Sequence, residues 1–169
     1  ILKDSSRYRV FEPRLGMAHA RTAYFHNTIG GYHGAKPHRM QSLYDYHLNE
    51  TITPNVVNML NIKYTIQSSE EGSLSAGLNP NAFGNAWLVK EVISCRSADD
   101  EIRRLATGNL AKTALTTDSI SQREFVLDSL SSISLVTHKA NELRYKASVS
   151  STAFSVFSEM HYPHGWQAY

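Results

Sequence analysis

A single cysteine, Cys95, stands among 169 residues, so no internal disulfide is available and the fold must be held by packing. Long apolar runs are missing too. The longest uninterrupted one is Ala86-Trp87-Leu88-Val89, far short of the ~20 residues that a membrane-crossing helix requires. Nor is there an excess of one charge, because 17 basic and 15 acidic residues are interspersed to a net +2, which excludes the clustered basic footprint of a nucleic-acid binder. There is no low-complexity block and no internal repeat. What is present is an ordinary globular balance, 41% hydrophobic and 19% charged in 19.0 kDa, enough to bury a core.

Periodicity lays out the elements. Tyr8-Arg9-Val10-Phe11 reads as a short strand stopped by Pro13. Met40, Leu43, Tyr44 and His47 recur at helical spacing and predict a helix over 37–47, entered through Pro37. Thr53 before Pro54 is an N-cap and first-turn pair for a second short helix carrying Val56, Val57 and Leu60. Ile62, Tyr64 and Ile66 alternate with polar residues and predict a strand. Residues 68–81, rich in Ser, Gly and Asn, read as a surface loop or loose hairpin, followed by a strand over 86–93. Ser97 predicts a capped helix with Asp99, Asp100 and Glu101 in its first turn, Ile102, Leu105 and Ala106 on its apolar side, and Gly108 as its stop. Thr113 to Thr116 reads as a strand. Three alternating runs follow, around Ile133 and Leu135, from Leu143 to Val149, and from Phe154 to Val156, with antiparallel hairpins expected at Ala140-Asn141 and Ser150-Ser151. The expected fold is α+β: short helices and antiparallel-leaning strands over 1–118, then a β-sandwich-like C-terminal sheet over 119–169, the two packing as one domain or two. That sheet reaches Tyr169 without a closing strand, so it is expected to be truncated and to offer an unpaired edge for self-association.

The chemistry-bearing motifs are few. Gly30-Gly31-Tyr32-His33-Gly34-Ala35-Lys36 has glycines and a lysine, as a phosphate loop does, but Pro37 follows the lysine and the glycine spacing is wrong. The segment therefore reads as a structural turn with a helix start, or as an anion or sugar site there, with Tyr32 to stack on a ring and His33, Lys36 and Arg39 as donors. Histidines gather between His19 and His47, yet no pair has metal-ligand spacing, and no metal or other cofactor is expected. Cys95 reads as a small buried residue rather than a nucleophile. Aromatics are frequent in loops and edges, Tyr24, Phe25, Tyr32, Trp87 and Trp166 among them. With Asn27, Asn85 and Asp45 nearby they suit a sugar-binding surface, against core packing as the default. No Ser-His-Asp order and no paired-carboxylate motif stands out.

Four blocks carry a family resemblance: Asn27-Thr28-Ile29-Gly30-Gly31-Tyr32-His33-Gly34-Ala35-Lys36, then Val57-Asn58-Met59-Leu60-Asn61-Ile62-Lys63-Tyr64, then Asn79-Pro80-Asn81-Ala82-Phe83-Gly84-Asn85-Ala86-Trp87, and Val156-Phe157-Ser158-Glu159-Met160-His161-Tyr162-Pro163-His164-Gly165-Trp166. In order and spacing they resemble the YfhO family of bacterial polytopic membrane proteins, in its Bacteroidetes-type form. The resemblance implies an extracytoplasmic region of a GT-C-type glycosyltransferase-like parent, located on the outer side of the cytoplasmic membrane. The start at Ile1 rather than Met fits a piece of something longer.

The family's acidic catalytic residue lies in an early membrane loop outside these blocks, so no catalytic residue transfers. The function expected from the resemblance is a non-catalytic accessory domain, partnered by the parent's transmembrane region and by an envelope glycan or lipid-linked sugar. The alternative is a purely structural module packed on the parent's membrane helices or on an envelope partner. A self-contained transferase or hydrolase ranks last.

Overall fold

The computed structural model describes every residue except Leu2, His33 and Pro163. The described residues form nine short strands and four short α-helices, three of the helices falling between the first strand and the second, giving the expected α+β class. β1 (Arg9–Phe11) lies parallel to β2 (Ile62–Ser68), which turns back into antiparallel β3 (Leu74–Leu78). On the other edge of β1 the Val10 amide donates to the Asn27 carbonyl at 2.8 Å, so residues 27 and 28 run alongside it. Residues 68–81 thus contain a hairpin rather than a plain loop.

Met40 and Val56, from two of the helices, pack with Phe11 and Ile62 of this sheet. α1 (Arg21–Phe25) follows the first loop, and α2 (His38–Tyr44) and α3 (Pro54–Met59) precede β2. The helix expected to reach His47 is α-helical only to Tyr44 and continues as a π-helical turn over Asp45–Asn49. The wider turn seats His47 and Leu48 in the interior together. There the His47 Nε2 donates to the Ile102 carbonyl at 2.8 Å and Nδ1 meets the Thr53 hydroxyl at 3.1 Å. Thr53, expected to cap α3, makes no side-chain cap because its hydroxyl is held by His47. Phe11, Met17, Ile29, Leu48, Val56 and Ile62 close the first core.

A second core forms from Val89, Val92, Ala114 and Phe125, with Trp87 and Phe154 packed on it. It draws on residues from both sides of Asp118. The strand expected over 86–93 is two: β4 (Ala86–Val89) and β5 (Glu91–Ser94), divided at Lys90. At Lys90 the backbone changes partners, its amide donating to Lys112 and its carbonyl accepting from Phe125. β5 pairs in parallel with β6 (Thr113–Thr116), across α4 (Ala98–Arg104). α4 starts as expected, the Ser97 Oγ accepting the Asp100 amide at 3.2 Å.

Of the last three strands only β9 departs from the expected pairing. β7 (Ser132–Lys139) and β8 (Glu142–Ser148) form the hairpin foreseen at Ala140-Asn141. β9 (Phe154–Phe157) does not fold back on β8 through Ser150-Ser151. It pairs antiparallel with β4, Trp87 opposite Val156, and meets β8 only through side chains, the rings of Tyr145 and Phe157 crossing edge to face at 4.8 Å. Phe154 and Val156 face the second core from β9, and that burial decides the pairing over sequence proximity.

Candidate functional site

Arg9 opens β1 and Arg7 lies two residues before it. Both reach Glu159, just beyond β9. Arg7 Nη2 donates to Glu159 Oε2 at 3.2 Å and Arg9 Nη2 to the same oxygen at 3.4 Å, while Arg9 Nη1 donates to the Leu60 carbonyl at 2.9 Å. Glu159 Oε1 is 3.0 Å from Arg7 Nη2, near enough for attraction but without hydrogen-bond alignment. It is a Coulombic contact, because a hydrogen bond needs direction as well as distance. Burial lowers the pKa of Arg9, with the Glu159 charge opposing, and burial also raises that of the adjoining Tyr145 phenol, helped by Glu159.

The backbone beside the arginines is fixed by two asparagines. Asn61 and Asn85 each donate a side-chain N–H to the Arg7 carbonyl, at 3.0 and 3.1 Å. Asn61 closes α3 in the left-handed region at φ 53, where asparagine is better tolerated than most residues. Next to it the Ser158 hydroxyl meets the Met59 and Gly84 carbonyls at 2.7 and 2.8 Å. Four distant stretches of chain therefore meet here.

Of these residues Arg7, Arg9, Asn61 and Asn85 line a cleft of about 340 Å³, at the small end of the range for ligand pockets. Arg7, Tyr8 and Arg9 form one wall, Asn61 and Asn85 its end, and Ala23, His26, Asn27 and Thr28 the other side. Gly30 also lines it, and any side chain there would strike the Met17 backbone, a Cβ coming within 2.9 Å of the Met17 Cα. That contact is why the turn needs a glycine.

α1 is positioned by buried Glu12, whose carboxylate accepts from the Thr22 hydroxyl at 2.6 Å and pairs with Arg21. Holding Thr22 inward turns Tyr24 and Phe25 to solvent, 83% and 68% exposed, their rings edge to face at 4.9 Å. The default of core packing fails for this pair. The cleft residues Ala23 and His26 flank them in sequence. A broader groove of about 530 Å³ lies between β4 and the start of β7, lined by Trp87, Lys90, Asp128 and several serines. The Asp128 carboxylate there is already satisfied by the Ser131 hydroxyl and the Leu130 amide.

Of the site residues singled out in the sequence, Tyr32, expected to stack on a ring, is 84% exposed, Lys36 Nζ donates to the Met17 carbonyl at 3.3 Å, and Arg39 reaches over to Glu101 at 2.8 Å. Lys36 and Arg39 are thus committed to different partners, and His33 lies outside the described residues. Asn27 and Asn85, noted as polar neighbours of the aromatics, do line the cleft. Arg7 and Arg9 were passed over. Their alternation was visible as an Arg-x-Arg pair, but their shared carboxylate is some 150 residues away. Among the described residues no three His, Cys, Asp or Glu side chains gather to hold a metal.

The chain matches no family model, no curated protein and no solved structure.

Proposed function

We propose that this chain is a non-catalytic accessory module that holds a sugar, within an extracytoplasmic region of a YfhO-like, glycosyltransferase-like membrane protein. The observation that carries the sugar-holding part is the cleft itself. It is a pocket of suitable size with cationic and amide donors on its walls, and the exposed aromatic pair Tyr24 and Phe25 stands between its lining residues Ala23 and His26 in sequence. Sugars are bound by such combinations, donors fixing hydroxyls while an aromatic face covers the ring's C–H side. The membrane parentage, the location outside the cytoplasmic membrane and the partnership with the parent's transmembrane region rest on the four sequence blocks. In this reading the chemistry is done by the parent, and the module keeps an envelope glycan or lipid-linked sugar close to it.

The exposed Tyr24 and Phe25 also favour a second reading, a structural module whose aromatic pair packs on the parent's membrane helices. Titration of labelled protein with glucose and with fragments of envelope polysaccharide separates the two. Binding that moves residues 7–9 and 26–28 and is weakened by Tyr24→Ala or Phe25→Ala supports sugar holding. Silence toward every glycan leaves the structural module. The parentage has its own test in the flanking coding sequence, which should encode several apolar segments of about 20 residues; flanks without any remove it.

A further inference from the structure

We infer that the ligand of the Arg7–Arg9 cleft carries an oxyanion, a carboxylate or a phosphate on the sugar; this rests on the sugar-holding reading and narrows it. Charge is the first ground. The lining holds two guanidiniums and His26, and none of the lining residues is acidic. The carboxylates nearby have their own partners: Asp4 is paired with Lys63 at 2.6 Å, and Glu12 with Arg21. Glu159 serves both arginines and can balance only one of them. One positive charge in this wall is left without a counter-charge.

The second ground is hydrogen bonding. Arg7 Nη1 is buried without a hydrogen-bond partner among the described residues; the Tyr145 hydroxyl and Glu159 Oε1 are in the same condition, but neither residue belongs to the cleft's lining. Buried N–H groups are nearly always paired, and an oxyanion with several lone pairs is the acceptor that suits a guanidinium edge. Glu159 shows that the two guanidiniums already converge on one carboxylate oxygen. The Arg7 and Arg9 side chains are 24% and 21% exposed, open enough to be reached yet shielded enough for charge to count.

The test uses glucose, glucuronate and glucose 1-phosphate, each titrated against ¹⁵N-labelled protein at low and raised salt. Glucuronate or glucose 1-phosphate should shift residues 7–9 and 26–28 at concentrations about five- to tenfold below those needed for glucose, and added salt should narrow the gap. The two anionic probes distinguish the carboxylate from the phosphate. Asn27→Asp places a negative charge on an exposed side chain of the cleft without removing a core contact. It should weaken the anionic probes by a similar factor and leave glucose unchanged, even if Arg7→Gln proves too unstable to study. Glucose binding as well as glucuronate overturns the oxyanion and leaves the sugar site standing. No response of residues 7–9 and 26–28 to any probe overturns both.

Discussion

Ser97 shows how much a single side chain contributes. It stands in extended backbone at the entry to α4, its Oγ accepting the Asp100 amide, while the Asp100 carboxylate accepts the Arg96 amide and pairs with Arg104 at 2.8 Å. Ser97→Ala leaves a first-turn amide to water and should cost about 1 kcal/mol in a denaturant titration. Leu105, just past the helix and half-buried against the first core, should cost about 1 to 2 kcal/mol as alanine, less than a fully buried leucine. Asp4 makes a prediction of another kind. Its carboxylate is held well below the usual range, first by Lys63 and then by Ser6, with Tyr64 adding a bond at 3.0 Å. A carboxyl whose folded pKa lies below its unfolded one contributes fully above the unfolded value, about pH 4, and loses that contribution as the pH falls toward the folded value. Stability should therefore decline on acidification below about pH 4. In Asp4→Asn the decline should be shallower, though not abolished, because Asp100, Asp128 and Glu142 are lowered in the same direction by their own partners. An unchanged acid limb in Asp4→Asn would show that the Lys63 pair is broken in solution.

Elements were legible where one face of a strand or helix is buried, and their partners were not. Ile62, Tyr64 and Ile66, or Leu143 and Tyr145, alternate because one side of each strand is covered, and the period of two survives in the sequence. The pairing of β9 with β4 leaves no such mark. It is fixed by Phe154 and Val156 meeting a core built from residues some 30 to 70 positions earlier. The divided strand at Lys90 and the π-helical turn at Asp45–Asn49 escaped for a related reason, since a change of partner or a single wider turn keeps the same hydrophobic residues. Edges follow from the same pairings. Among the described strands β3 has β2 as its sole neighbour and β9 has only β4. β3 is Leu-Ser-Ala-Gly-Leu, uncharged and largely exposed, while β9 is mostly half-buried. Expected self-association through the C-terminal edge therefore has a competitor in β3. If copies associate through β9, Ser155→Lys should lower the dimer fraction in sedimentation equilibrium and Ser75→Lys should not. The reverse pattern moves the contact to β3.

For the molecule as a whole, the open question is whether residues after Asp118 fold as a separate unit. Glu159 pairs with Arg7 and Arg9 from the far end of the chain, and the Ser158 hydroxyl is shared between the Met59 and Gly84 carbonyls. Phe125 and Phe154 complete a core whose other members are Val89, Val92 and Ala114. Removing the last strands would expose that core and free both arginines, so the two halves should unfold together. We expect one cooperative transition, seen at the same denaturant midpoint by far-ultraviolet circular dichroism and by Trp87 fluorescence, recorded with Trp166→Phe so that Trp87 is the one tryptophan. Ser158→Val tests the linkage directly. It removes the donor to two carbonyls and places a bulkier apolar group in a buried position, at a cost of about 1 to 3 kcal/mol. Both probes should shift by the same amount. If the variant instead separates the probes into two transitions, with the fluorescence midpoint alone displaced, the C-terminal strands form their own unit and the boundary near Asp118 is real. The cleft, lined entirely by residues 7–85, would then belong to the first unit, and its arginines would depend on the second only through Glu159.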